Sequence, residues 1–379
     1  MVLEFILWAS IALAAFAYFG YPVTLKFFTT VHKKKLIREQ ITPQVSLIIT
    51  AYNEEMRIKD KLENTMTIDY PKDKLQVIVA SDGSTDRTAE IVMEYADRCV
   101  EFLDVPDRKG KENAQAQAVK VAKGEVLIFS DTATLLDPNG VREIVSNFAD
   151  PFIGCVSSED RMITDDRNNI GGESFYVKYE MWLRLLESQC NSVVGLSGSF
   201  FAARRDVCND FSPIMQSDFR TLLSCMKCGM RGISDPNAIG YYHDIKDKSR
   251  EFQRKVRTVL RGLTVFFNHP QFLNFFKFGL FTYQYVCHKL IRWLVPLFLI
   301  TALVSGALLA GKSTIYTILF CLQAAFYSFA VLGMIFPVLT KIVFLKIPVF
   351  FVVVNMSIFV AWIKFLKGER VVLWQPSVR

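Results

Sequence analysis

Four apolar segments bracket this chain and limit what the remainder can be. Leu3–Tyr21 is apolar apart from Glu4, and further apolar runs lie near Trp293–Ala310, Ile315–Leu339 and Ile347–Leu366. A stretch of about 20 apolar residues spans the hydrocarbon core as a helix, and an open chain in lipid has no other way to satisfy its backbone. The ends therefore predict a transmembrane helix over 1–30 and a transmembrane region over 293–379. Residues 264–292 alternate aromatic and basic side chains, which predicts interfacial helices between the last spans and a soluble part. Hydrophobic residues reach 51%, with 32 Phe, yet 21% of the chain is charged, so a polar domain must lie between the apolar ends.

The first segment lacks the basic leading flank of a signal peptide, and Lys26 and His32-Lys33-Lys34-Lys35 follow it. The positive-inside rule then puts the N-terminus outside and the chain from about Lys33 onward in the cytosol of a plasma or inner membrane. Four full spans would leave Lys364, Lys367 and Arg370 outside, against the same rule; either the C-terminus is outside or a re-entrant segment lies around Lys341–Pro348. The net charge of +7 reflects these basic membrane flanks, which suit anionic headgroups, and no nucleic-acid partner is expected. The eight Cys are scattered and read as cytosolic thiols. Cys225-x-x-Cys228 has no second pair at ligand spacing, whereas a zinc site needs four ligands.

Inside the soluble part the hydrophobic pattern alternates between strands and helices. Val45–Thr50, Leu75–Ala80, Val100–Val105 and Val126–Phe129 are β-rich apolar runs. Between them, Arg57–Thr67, Thr88–Asp97 and about Glu112–Ala122 have helical spacing, with Gly124 as a left-handed cap. Short connections and alternation predict an α/β fold with a mainly parallel, doubly wound sheet. Ligands of such sheets bind outside the carboxyl ends of the strands. Asp82 and Asp131 stand at two of those ends, and Asn53-Glu54 at a third. Either Asp alone is equally an ordinary turn residue; their convergence from separate strands points to a site.

VSLIITAYNEE, VIVASDGSTDRT, RKGKENAQ and GEVLIFSDTAT, in that order, resemble the successive blocks of family 2 glycosyltransferases. These are inverting nucleotide-sugar enzymes of the GT-A fold. The resemblance covers roughly Val45–Leu263, so a GT-A domain is expected over 40–263. It implies that Ala51, Tyr52, Glu54 and Asp82 hold the nucleoside of a UDP-sugar, with Lys111 and Ser130 also on the nucleotide-sugar. The basic turn Arg108–Lys111 opens a helix, a setting suited to phosphate or uracil contacts. Asp131 matches the first aspartate of the DxD metal motif, with Ala133 in the third position. One carboxylate plus diphosphate oxygens still suffices for Mg²⁺ or Mn²⁺, because Mg²⁺ keeps several waters. His243, in AIGYYHD, is either a further metal ligand or an ordinary hydrogen-bonded histidine.

Further along, Phe175, Tyr176, Tyr179 and Trp182 form an aromatic stripe of the kind usually found in cores. The segment from Val194 to Arg205 resembles the family's SGAxxAxRR element, which implies that Ser197, Gly198 and Ser199 lie beside the acceptor. Asp218, in Met215-Gln216-Ser217-Asp218-Phe219, takes the place of the catalytic base, with Ser217 where the family has a second acid; as an N-cap it would precede a helix over Thr221–Met226. Gln253-Arg254-Lys255-Val256-Arg257-Thr258 resembles the (Q/R)xxRW element of polymer-forming members, with Thr258 in place of Trp. There Arg254 and Arg257 would grip the diphosphate, while Val256, Val259, Leu260 and Leu263 give the stretch an apolar side suited to a membrane surface.

The expected protein is a membrane-integrated inverting glycosyltransferase that moves a sugar from a UDP-sugar to a growing cell-surface polysaccharide or glycolipid, as hyaluronan, chitin and poly-N-acetylglucosamine synthases do. Its partners would be the donor, a saccharide or lipid-linked acceptor and the bilayer. Two other readings stay open in the sequence: single-sugar transfer to a polyprenyl phosphate or lipid-linked acceptor, and an inactive nucleotide-sugar-binding scaffold.

Overall fold

In the computed structural model, residues 1–31, 33–163, 172–243, 248–336 and 343–371 are described, apart from the side chains of 172–175, 243, 248 and 343–345. The chain divides into two units. One comprises Met1–Val31, Asp166–Tyr179 and Asp247–Arg370; the other comprises His32–Asp165, Glu180–Lys246 and Val371–Arg379. Each is taken by itself.

The second unit is built on a sheet of β1 (Val45–Ala51), β2 (Leu75–Asp82), β3 (Val100–Val105), β4 (Val126–Asp131), β5 (Thr134–Leu136), β6 (Ile153–Ile163), β7 (Phe200–Arg204) and β8 (Arg231–His243). The spatial order is β3-β2-β1-β4-β7-β6-β8-β5. The first four strands are parallel, as alternation with helices requires. All seven residues of β1 are buried, which accounts for its mainly apolar sequence, with Ser46 and Thr50 as its two polar members. β7 enters antiparallel to both β4 and β6, so the sheet is mixed beyond β4. Leu47, Ile49, Val77, Val79, Ile128 and Phe200 share one buried cluster with the helix residues Ile58 and Leu62.

The chain lays β1, β2 and β3 in one direction and then returns to place β4 on the other side of β1. The strand order reverses between β1 and β4, and this switch point opens a crevice at their carboxyl ends. In register, Thr50 of β1 lies opposite Asp131 of β4. Gly124 has no left-handed cap, since the preceding helix (Lys111–Val121) ends at Ala122 in an extended conformation and Gly124 is not among the positive-φ residues. It is a glycine because a β-carbon there would come within 2.3 Å of the Ser46 backbone nitrogen.

Among the described residues, the other unit has four helices long and apolar enough to cross a membrane: Val2–Val31, Leu280–Leu309, Thr314–Ile335 and Lys346–Leu366. The second of these starts well before Trp293, so the later part of the stretch expected to be interfacial continues into a span-length helix through a π-helical turn at Val286–Ile291. Arg292 follows that turn, and its guanidinium stacks over the rings of Tyr18, Tyr176 and Tyr179. Two members of the aromatic stripe thus surround a buried cation; the Phe175 side chain lies outside the described residues. The helix Lys248–Asn268 buries Val256, Leu260 and Leu263 and packs on the helix Val343–Leu366, where Phe267 meets Trp362 and Phe365. Val256, Leu260 and Leu263 of its apolar side therefore meet protein.

Candidate active site

The turn after β1 and the turn after β2 interlock. Asn53 takes a left-handed conformation (φ 49°), which a short polar side chain tolerates, and its Oδ1 accepts the Thr85 N–H at 2.8 Å. The Glu54 N–H donates to Thr88 Oγ1 and the Glu55 N–H to Asp86 Oδ2. Glu54 itself is buried and pairs with Arg57 at 3.1 Å. Ala51 ends β1 as a buried residue opposite Ser81. Tyr52 faces Arg108, whose guanidinium lies 3.9 Å from the ring centroid.

Asp82 ends β2 with its carboxylate buried against the basic turn, accepting the backbone N–H groups of Lys109 and Gly110 at 2.8–3.1 Å. The turn's amides are thereby committed to Asp82 at the start of the Lys111 helix, a position that favours negative charge. Its side chains diverge. Lys109 pairs with Asp107 on the surface, Arg108 covers Tyr52, and Lys111 reaches across to the end of β4.

There Lys111 Nζ donates to Asp131 Oδ1 and, at 2.9 Å, to the Gly198 carbonyl. The Asp131 N–H donates to the Ser199 carbonyl at 3.0 Å, so the segment leading into β7 runs beside the end of β4. Ser197 and Ser199 both donate their hydroxyls to Asp160 on β6, at 2.7–2.8 Å. Gly198 is left between them facing Asp218: a β-carbon on Gly198 would stand 3.2 Å from Asp218 Oδ2. Asp218 does not precede its helix but lies in its first turn, since the helix runs Ser217–Lys227 with Gln216 as N-cap. The Gln216 amide donates to Asp218 Oδ2 at 3.1 Å. Asp131, Lys111, Gly198 and Asp218 thus form one contiguous group.

Ser130 is turned inward. It is 1% exposed and its hydroxyl accepts from Lys61 Nζ at 2.8 Å, so its side chain faces the core and not the crevice. Lys61 is fully buried on the helix Ile58–Met66 and also donates to the Thr134 carbonyl. Burial pushes its amine down to about 7, against the opposing pull of the Asp131 charge. Sequence reasoning passed over Lys61, although a lysine between Ile58 and Leu62 on a buried stripe was the available signal. It also passed over Asp160, which sits on a strand with no turn signal around it.

The donor set at the β4 turn is the single carboxylate of Asp131, about one-quarter exposed and paired with Lys111. Among the described residues no group of three or more His, Cys, Asp or Glu is gathered to hold a metal ion. Such a site fits a cation that takes most of its ligands from water and substrate phosphates, as Mg²⁺ does, and does not fit a closed protein cage. The His243 backbone pairs with Ile163 at the end of β8, and its side chain lies outside the described residues. Arg254 and Arg257 stand on the helix Lys248–Asn268 of the other unit, where Arg254 forks onto Glu251 at 2.7 Å through both nitrogens.

Residues 46–211 match the model of "Glycosyl transferase family 2". Among curated proteins the chain is 25% identical over 171 residues to a poly-beta-1,6-N-acetyl-D-glucosamine synthase of Staphylococcus epidermidis, covering 44% of this chain and 40% of that protein. It is 27% identical over 164 residues to the enzyme of the same name from Staphylococcus aureus strain COL, covering 43% of this chain and 38% of that protein. The aligned part thus spans well under half the length of these relatives. Among solved structures it resembles the mannosyltransferase PcManGT from Pyrobaculum calidifontis, in complex with GDP-Man and Mn²⁺, with a TM-score of 0.74 and 22% identity over 97% of this chain and 100% of that one. That likeness is one of fold.

Proposed function

We propose, from the match of residues 46–211 to the family 2 glycosyltransferase model and the fold shared with PcManGT, that this chain is a glycosyltransferase that transfers a sugar from a UDP-sugar, with inversion, to a membrane-associated saccharide or glycolipid. The observation that carries the proposal is the convergence of Asp131 and Asp218 on either side of Gly198 and Lys111 at the sheet's switch point. Inversion needs a base on the acceptor side and charge stabilisation on the leaving-group side, held apart by a rigid backbone.

Asp218 is the base in this reading. Its carboxylate takes the proton of the acceptor hydroxyl as that oxygen forms its bond to the anomeric carbon and the bond from that carbon to the diphosphate oxygen breaks. Position in the first turn of its helix and the Gln216 amide fix the carboxylate. Lys111 lies where its ammonium can meet the negative charge developing on the diphosphate. Asp131 would hold Mg²⁺ or Mn²⁺ together with diphosphate oxygens, and the cation, when bound, supplies further charge stabilisation to the leaving group. Asp82 and the interlocked turns around Tyr52 and Glu54 line the nucleoside side, with Arg108 over Tyr52 available to stack on a base. Ser197 and Ser199, anchored on Asp160, shape the acceptor side.

The span-length helices among the described residues support insertion in a membrane, and the basic run Lys33–Lys35 after the first of them supports a cytosolic sheet-bearing unit. The likeness to poly-beta-1,6-N-acetyl-D-glucosamine synthases supports a polysaccharide product. Thr258 in place of tryptophan favours a second reading, single-sugar transfer to a lipid-linked acceptor. The complex of PcManGT with GDP-Man and Mn²⁺ supports a nucleotide-sugar and a divalent cation, and makes GDP-sugars a necessary arm of any donor screen. Product length after incubation of membranes with radiolabelled donor separates the two readings: a ladder of lengths is expected, and one discrete lipid-soluble product would replace polymerisation with single transfer.

A further inference from the structure

We infer that Lys61 and Asn64 form a clamp that sets the position of Asp131, and that Lys61 is a positioning residue for the diphosphate end of the site. The helix Ile58–Met66 buries Ile58, Lys61, Leu62 and Thr65. From this inward face Lys61 donates to the Ser130 hydroxyl and to the Thr134 carbonyl, the residues on either side of the turn that carries Asp131. One helical turn later, Asn64 closes a two-way hydrogen bond with the backbone of Leu136: its Nδ2 donates to the carbonyl at 2.9 Å and its Oδ1 accepts the N–H at 2.8 Å. Thr132 completes the arrangement by donating its hydroxyl to the Thr50 carbonyl at 2.8 Å.

A turn between two short strands has few backbone partners of its own, and β5 is only three residues long. β5 pairs with β8 on one side only, and hydrogen bonds from a helix packed in the core hold it as well. Residues three apart on a helix lie on one face, so a Lys-x-x-Asn pair can grip successive parts of the same turn. A lysine amine is an expensive way to do this, because burial disfavours its charged form. An apolar side chain would fill the same space without that cost, but it would remove the donor to the Ser130 hydroxyl and the Thr134 carbonyl. The buried amine therefore fixes the turn's placement beneath what binds above it. The clamp itself stands on hydrogen bonds alone; its link to diphosphate rests on the proposed function.

The test uses the full-length protein in nanodiscs, with Lys61→Met, which keeps length and removes the donor, and Asn64→Ala, which cuts the second grip from a half-exposed position. Backbone hydrogen exchange is followed by mass spectrometry, and affinities for UDP, GDP and their nucleosides are measured with Mn²⁺. Both variants are expected to raise exchange in the peptide covering 130–137 while the β1 and β2 peptides stay protected. Lys61→Met is expected to weaken nucleoside diphosphate binding by about tenfold or more, with nucleoside binding within about twofold of wild type. Unchanged exchange at 130–137 in both variants overturns the clamp. Equal loss of diphosphate and nucleoside binding overturns the positioning role, leaving a general structural one. If Lys61→Met does not fold, Asn64→Ala decides both points. If the wild type binds neither UDP nor GDP, the donor assignment fails, while the exchange result still decides the clamp.

Discussion

The ammonium of Lys111 joins the carboxylate of Asp131 to the carbonyl of Gly198, and so ties the end of a central parallel strand to the segment that leads into the antiparallel one. Lys111 → Met is expected to lower kcat/KM by about a hundredfold, the usual scale for removing a preorganised charge beside the reacting atoms. Asp131→Ala should cost a similar amount, and the pair should be non-additive because each loses the same contact. A double-mutant cycle on donor turnover measures this; strict additivity would mean that the contact has no functional weight.

Asp218→Asn removes the base and keeps the shape. The expected result is a fall in kcat of about 10²–10⁴-fold, with affinity for the nucleoside diphosphate within about twofold of wild type. Steady-state kinetics beside equilibrium nucleotide binding checks both halves.

A methyl group on Gly198 would press on Asp218 Oδ2 at 3.2 Å, so that the carboxylate has to give way by a few tenths of an ångström. Gly198→Ala should therefore displace Asp218 and reduce kcat by about tenfold, with stability changed by no more than about 1 kcal/mol. Turnover and thermal melting of the same preparation separate the two effects.

Lys61 makes stability depend on pH in a defined direction. Burial holds its amine at about 7 in the folded protein, against an ordinary value of 10.5. Between those values the unfolded chain binds more protons than the folded one, so stability rises with pH, by at most about 1.4 kcal/mol per pH unit from this group. Below about 7 the amine is charged in both states and the penalty is constant. The melting temperature of wild type relative to Lys61→Met should increase from pH 7 to pH 9; a flat difference across that window contradicts the burial of a titrating amine.

β1, β2 and β4 were legible because they are buried on both faces and read as mainly apolar runs closed by turn residues, whereas β3, buried only at Val100 and Val105, was legible from its β-rich composition. Asp82 and Asp131 stood out as acids after such runs, and Asp218 stood out through the resemblance to family 2 glycosyltransferases. Lys61 was hidden by the opposite circumstance: on a helix its side chain looks like one more surface charge, and only the packing of Ile58 and Leu62 reveals that its face is inward. Ser130 erred the same way in reverse, since a polar residue at a strand end reads as exposed, whereas the period of two turns it toward the core. Gly124 reads as a cap from its place after a helix, and the close approach to the Ser46 backbone appears only once β1 is set against it.

Release of nucleoside diphosphate tests the central claim most directly. The full-length protein in nanodiscs is incubated with Mn²⁺ and a panel of UDP- and GDP-sugars, beside Asp131→Ala and Asp218→Asn. The expected result is release from at least one UDP-sugar by the wild type, lowered by about a hundredfold or more in either variant. Release near the wild-type rate in both variants, or a wild type that releases nothing from any donor while remaining folded, would contradict a transferase site built on Asp131 and Asp218.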